Sequence, residues 1–204
     1  MINIVDYGAG NLGSIANMLK KLGAGNEITS DPEQIAKSSK LILPGVGRFD
    51  HGMTNLQQSG LIEALQHSVI ERGVPILGIC LGAQLMTKSS EEGTGNGLGW
   101  FDAEVIKFSF HSELTHLRIP HMGWNYVHVS KEDELTKGLQ EESRFYFVHS
   151  YYLRCNNLSD VMLTTVYGIE FISGISRNNM YAVQFHPEKS HKYGLKLLNN
   201  FVQI

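Results

Sequence analysis

Cys80 stands in the setting that most directly suggests chemistry. It lies in Gly78-Ile79-Cys80-Leu81-Gly82, where an apolar run gives way to a segment of helical character. This is the form of a nucleophile elbow, G-x-S-x-G, with sulfur in place of oxygen. A sharp turn there exposes the side chain at the C-terminal edge of a sheet, and the small residues on either side let strand and helix approach closely. A helix N-terminus behind the thiol favours the thiolate, and the Leu81 N–H is placed to meet an oxyanion. A free cysteine is more often a buried apolar filler; the flanking glycines turn the balance toward a nucleophile. Cys155, in Arg154-Cys155-Asn156, has no such flanks and reads as incidental.

A thiolate nucleophile needs an imidazole within reach and a third group to orient it. His186-Pro187-Glu188, directly after the apolar run Tyr181-Ala182-Val183-Gln184-Phe185, supplies both. Positions i and i+2 of an extended stretch face one side, so Glu188 is expected to hold one ring nitrogen while the other faces Cys80. His149 is the rival base, but it has no acidic neighbour in Val148-His149-Ser150-Tyr151. His111, His116 and His121 match no metal-binding spacing, and the reading is of exposed loop histidines and no metal. Gly8-Ala9-Gly10-Asn11-Leu12-Gly13 is formally a G-x-G-x-x-G between a strand and a helix. A dinucleotide site would also want an acidic residue ending the second strand, and neither Glu27 nor Asp31 clearly does so.

These groups need a scaffold that brings strand ends together. Apolar runs at residues 2–5, 40–43 and 75–79 alternate with helical periods at 11–22, 61–70 and 82–88. That alternation predicts a mainly parallel sheet with helices on both faces. Later segments at 103–108, 126–129, 145–148, 161–165, 171–176 and 181–185 read as strands, and 191–202 as a closing helix. The expected fold is a three-layer α/β domain with an antiparallel section. The 204 residues fit one domain, 1–204. Hydrophobic residues are 42% and charged residues 18%, an ordinary folded composition. The 17 basic and 20 acidic side chains give a net charge of -3, which argues against nucleic-acid binding. No run is long enough to span a membrane, no signal segment is visible, and two distant cysteines suit a reducing cytoplasm.

Gly78-Ile79-Cys80-Leu81-Gly82-Ala83-Gln84, taken with Phe185-His186-Pro187-Glu188-Lys189-Ser190, resembles the class I (triad) glutamine amidotransferases. The pairing of C-x-G-x-Q with H-P-E is highly specific. Asp6-Tyr7-Gly8-Ala9-Gly10-Asn11, Leu43-Pro44-Gly45-Val46-Gly47, Pro120-His121-Met122-Gly123-Trp124-Asn125 and Phe147-Val148-His149-Ser150-Tyr151 carry the likeness along essentially the whole chain. Within that family it is similar to the glutaminase subunits of imidazole glycerol phosphate synthases. The resemblance implies hydrolysis of glutamine by Cys80, His186 and Glu188 without a cofactor. It implies an oxyanion site at Leu81 and Val46, and a glutamine pocket at Gly47, Gln84, Glu92, Ser150 and Tyr151. It further implies a heterodimer with a cyclase (β/α)8-barrel that receives the ammonia and makes imidazole glycerol phosphate and aminoimidazole carboxamide ribotide in histidine biosynthesis. His121, Trp124 and Asn125, in a loop, with Tyr146 and Lys189, would face that barrel. Two other readings stay open: the glutaminase partner of a synthase that aminates a sugar for surface polysaccharide, and a dinucleotide-binding protein using Gly8–Gly13. A cysteine hydrolase acting on another amide is a further reading.

Overall fold

The computed structural model describes residues 1–110 and 117–204. Its N-terminal half alternates strand and helix. β1 (Ile2–Val5), β2 (Asn26–Thr29), β3 (Lys40–Leu43) and β4 (Ile76–Ile79) are joined through α1 (Leu12–Lys21), α2 (Pro32–Ala36), α3 (Phe49–Gln58) and α4 (Leu61–Gln66). α5 (Leu81–Leu85) follows β4 directly. The second half holds β5 (Ser89–Ser90), β6 (Ala103–Lys107), β7 (His121–Tyr126), β8 (His128–Val129), β9 (Arg144–His149), β10 (Tyr151–Cys155), β11 (Val161–Tyr167), β12 (Ile169–Arg177) and β13 (Met180–Val183), closed by α6 (His191–Gln203).

The main sheet runs β2-β1-β3-β4-β13-β12-β10-β6-β5, with β11 on β12 and β8 on β11. Strands β2, β1, β3, β4 and β13 are mutually parallel. From β13 to β12 and onward to β10 and β6 the pairing turns antiparallel. β7 and β9 form a separate antiparallel ribbon. The fold is thus mixed α/β, mainly parallel at its centre, with an antiparallel section.

The central strands are apolar on both faces because both faces are covered. Leu41, Leu43 and Ile76 pack against α3, α4 and α5 through Phe49, Leu56, Leu65 and Leu85. Ile42, Leu77, Ile79 and Val183 pack against α1 and α6 through Ile15, Leu19, Leu198 and Phe201. No helix among the described residues is long and apolar enough to cross a membrane.

Several elements lie outside the sequence-based reading. β2 is a polar edge strand, with Glu27 and Ile28 exposed. α3 is FDHGMTNLQQ, and its buried stripe is only Phe49, Gly52 and Leu56. Residues 121–126 form β7 rather than a loop, so His121, Trp124 and Asn125 are strand residues. The alternation there is inverted: Met122, Trp124 and Tyr126 point outward while His121 is 3% exposed. His121 is therefore not an exposed loop histidine; His111 and His116 lie outside the described residues. Gly8–Gly13 packs on the loop after β3, where the Tyr7 hydroxyl donates to Pro44 O at 2.8 Å. The Asp31 carboxylate is engaged by the Glu33 N–H at 2.9 Å as the cap of α2, so it is not a free ribose acceptor.

Candidate active site

β4 and β13 are parallel neighbours with Ile79 opposite Val183. The residues just beyond both strand ends therefore emerge side by side. On one strand that residue is Cys80; on the other the chain continues through Gln184 and Phe185 to His186. Cys80 adopts φ 54, ψ -109, a conformation side chains rarely take and one that the nucleophile elbow requires. A Cβ on Gly82 would overlap the Leu43 carbonyl, and one on Gly78 would lie 2.9 Å from Ala83 Cα. Both positions must stay bare for β4 to turn so sharply into α5.

His186 is held to the β7–β9 ribbon. Its N–H donates to Tyr146 O at 2.9 Å, and Ser190 Oγ donates to His186 O at 2.6 Å. Its Nδ1 lies 2.8 Å from Glu188 Oε1, with both side chains almost fully buried. Pro187–Lys189 forms a 3₁₀ turn rather than an extended stretch, so the turn, not a shared strand face, brings the carboxylate back onto the ring. Among the described residues, nothing partners the buried Nε2 or Glu188 Oε2 in hydrogen-bonding geometry. Burial alone would lower the imidazolium's pKa; the Cys80 sulfur nearby, chiefly by its charge, and then Glu188 outweigh burial and raise it to about 10. His149, the rival base, is driven the other way, to about 3, chiefly by burial. Cys155 is pushed up to about 12, by burial first and then by the Asp160 and Asp102 carboxylates, which suits an inert thiol.

A cavity of about 290 Å³ opens above these groups. Its walls include Cys80, His186, Val46, Leu81, Gly47, Gln84, Glu92, Ser150 and Tyr151, with Pro120, Val148 and His149 completing it. The Leu81 N–H meets the Gly45 carbonyl at a long 3.4 Å, so the loop after β3 sits where an oxyanion would bind. Glu92 Oε2 accepts from the Phe49 N–H at 2.9 Å and ties that loop to residues 90–95. A larger hollow of about 710 Å³, lined by Tyr152, Leu153, Leu158 and Ile172 among others, gathers no such constellation.

Gln184 is a residue the motif reading passes over. It is fully buried, and its Nε2 lies 3.7 Å from Cys80 Sγ. A lone amide inside an apolar strand was its only sequence signal.

The family model for class-I glutamine amidotransferases matches residues 3–204. The chain belongs to that family. A Methanococcus maripaludis protein named imidazole glycerol phosphate synthase subunit HisH 2 is 54% identical over 203 residues, covering all of this chain and 99% of the relative. A Pseudomonas aeruginosa protein of the same name is 45% identical over 204 residues, covering both chains completely. Among solved structures, PurLQS from Thermotoga maritima aligns over 99% of this chain and 97% of that one, with TM-score 0.76 and 18% identity. The glutaminase domain of Trypanosoma brucei CTPS aligns over 99% and 93%, with TM-score 0.63 and 14% identity. These last two share the fold.

In this amidotransferase the outward face of the β7–β9 ribbon is exposed and aromatic. Trp124 is 42% exposed and stacks on His191, with ring centres 5.5 Å apart. Arg144 lies 5.8 Å over Trp124, and Lys189 Nζ lies 5.7 Å over the Tyr146 ring. Asn125 and His121 face inward instead, joined at 3.2 Å.

Proposed function

We propose that this chain is the glutaminase of a two-protein imidazole glycerol phosphate synthase, with residues 1–204 acting as one amidotransferase domain. The observation that carries the chemistry is the meeting of Cys80 and the His186–Glu188 pair on one cavity, at the ends of adjacent parallel strands. The partnership rests on the names and full-length coverage of the relatives.

The Cys80 thiolate attacks the glutamine side-chain carbonyl. The carbonyl oxygen takes the developing charge and is met by the Leu81 N–H and, once the loop turns, by the Val46 N–H. His186, having held the thiol proton, passes it to the leaving nitrogen, and ammonia departs from a glutamyl thioester. His186 then takes a proton from water, the hydroxide attacks the thioester, and glutamate leaves as the thiolate returns. Glu188 fixes the tautomer and direction of the ring. Gly47, Gln84, Glu92, Ser150 and Tyr151 hold the amino-acid head of glutamine. One oxyanion donor is worth about 3 kcal/mol, so a Gly45 carbonyl over the Leu81 N–H keeps the chain nearly silent until a partner shifts the loop. The exposed Trp124, Tyr146 and Lys189 supply the face that meets a cyclase barrel, which consumes the ammonia.

The test is glutamate release from glutamine by the purified chain, alone and with the cyclase barrel of the same organism plus its nucleotide ligand. Strong stimulation is expected. Silence in both, with Cys80 still labelled by a glutamine-like electrophile, would move the chain to another synthase. A sugar-aminating synthase is the reading that second outcome would point to.

A further inference from the structure

A line of hydrogen-bonded side chains, joined at one point through the Tyr151 main-chain carbonyl, runs beneath the pocket. Gln184 Nε2 lies 3.7 Å from Cys80 Sγ. Its Oε1 accepts from Gln84 Nε2 at 3.0 Å. Gln84 Nε2 also reaches the Tyr151 carbonyl at 3.5 Å. His149 Nδ1 meets the same carbonyl at 2.7 Å, and its Nε2 meets His121 Nδ1 at 2.9 Å. His121 Nε2 lies 3.2 Å from Asn125 Nδ2, which also donates to Val166 O at 2.9 Å.

The direction of every bond follows from the two carbonyls, which only accept. Tyr151 O requires an N–H on His149 Nδ1, which leaves His149 Nε2 bare and requires an N–H on His121 Nδ1. His121 Nε2 is then bare and takes the second Asn125 proton. On the other side Tyr151 O requires the amino end of Gln84, so the oxygen of Gln184 must face Gln84. The amino end of Gln184 is therefore turned to the sulfur and donates to it. Both imidazoles are held neutral by burial, His121 at about 4 and His149 at about 3, so the pattern persists at neutral pH. A buried donor aimed at sulfur fixes where the sulfur stands.

We propose that Gln184 is a positioning residue of the hydrolysis, holding the Cys80 sulfur by its side-chain N–H in the place from which it attacks, with its amide oriented by the chain from Gln84 to Asn125. The parallel register of β4 and β13 sets this up, since Gln184 stands next to Cys80 just as Val183 stands next to Ile79. The proposal rests on the reading of Cys80 as nucleophile.

The experiment is the rate of Cys80 alkylation by iodoacetamide in the full chain, read by peptide mass, beside steady-state glutamine hydrolysis in the complex. Gln184→Met keeps the bulk and loses the N–H. It is expected to slow Cys80 alkylation and to cut kcat, each about tenfold, the scale of one hydrogen bond to a charged group, with KM within about twofold. Gln184→Glu, the same size but with oxygen toward the sulfur, is expected to slow both further. His186 and Tyr7, the titratable neighbours of Cys80, are untouched in both variants. An unchanged alkylation rate and kcat in a folded Gln184→Met would overturn the proposal while leaving Cys80 as nucleophile. Hydrolysis surviving Cys80→Ala would overturn the underlying reading instead. If neither Gln184 variant folds, the wild-type chain decides. With ¹⁵N-labelled glutamine residues in the chain, the Gln184 side-chain amide protons are expected to shift when Cys80 is alkylated. Amide protons that stay fixed on alkylation overturn the proposal.

Discussion

At His186, burial and charge act in opposite directions, and charge wins because the sulfur and Glu188 both lie close. Its folded value of about 10 stands above the unfolded value of about 6.5. The stability it contributes is therefore complete below pH ~6.5 and is lost as pH rises through about 10. Glu188→Gln keeps the shape but removes the charge that fixes the ring. Glutamine hydrolysis by the complex should fall at least about a hundredfold, as when the acidic member of a triad is neutralised. Steady-state kcat at neutral pH measures it, and a fall under about threefold would place Glu188 outside the mechanism. Cys80 and the His186–Glu188 pair were legible in the sequence because glycine spacing and an adjacent carboxylate are local signals. Gln184 was not, since a buried amide gains meaning only from the strand beside it.

Among the elements, the parallel core strands β1, β3 and β4 read directly from their apolar runs. β7 was hidden because its apolar side chains face outward and its inward side carries His121 and Asn125. Packing of His121 between Phe147 and Tyr167, and of His149 beside Phe108 and Phe171, brings them no carboxylate among the described residues to hold a positive charge. Both folded values, about 4 and about 3, lie below the unfolded one. Their contribution is thus present above pH ~6.5 and lost as pH falls through that window. Two protons taken up on unfolding make stability fall by up to about 2.7 kcal/mol per pH unit there. Denaturant unfolding between pH 7 and 4.5 should show this slope, and His121→Asn should roughly halve the part due to the pair. An identical slope in that variant would mean the imidazoles are not neutral in the folded chain.

Across the whole molecule, a closed catalytic edge and an open aromatic face lie on either side of the β7–β9 ribbon. The ribbon touches both, through His149 in the pocket wall and Trp124 on the outside. On the proposed interface, Trp124→Ala should weaken binding of the partner subunit by about ten- to a hundredfold, as for a buried aromatic anchor. Lys189→Ala should act mainly on the association rate and its salt dependence. Titration calorimetry and stopped-flow mixing check these, and wild-type affinity in Trp124→Ala would move the interface elsewhere. Mixed α/β architecture was foreseeable from alternating periods, whereas the outward ribbon depended on long-range pairing that no local pattern encodes. The central claim, that Cys80 carries the glutamyl group, is met most directly by acid-quenching the chain during turnover with its partner and locating the adduct by mass. One glutamyl thioester on the Cys80 peptide, absent in Cys80→Ala, is the predicted result; turnover with no adduct at Cys80, or with the adduct on Cys155, would contradict it.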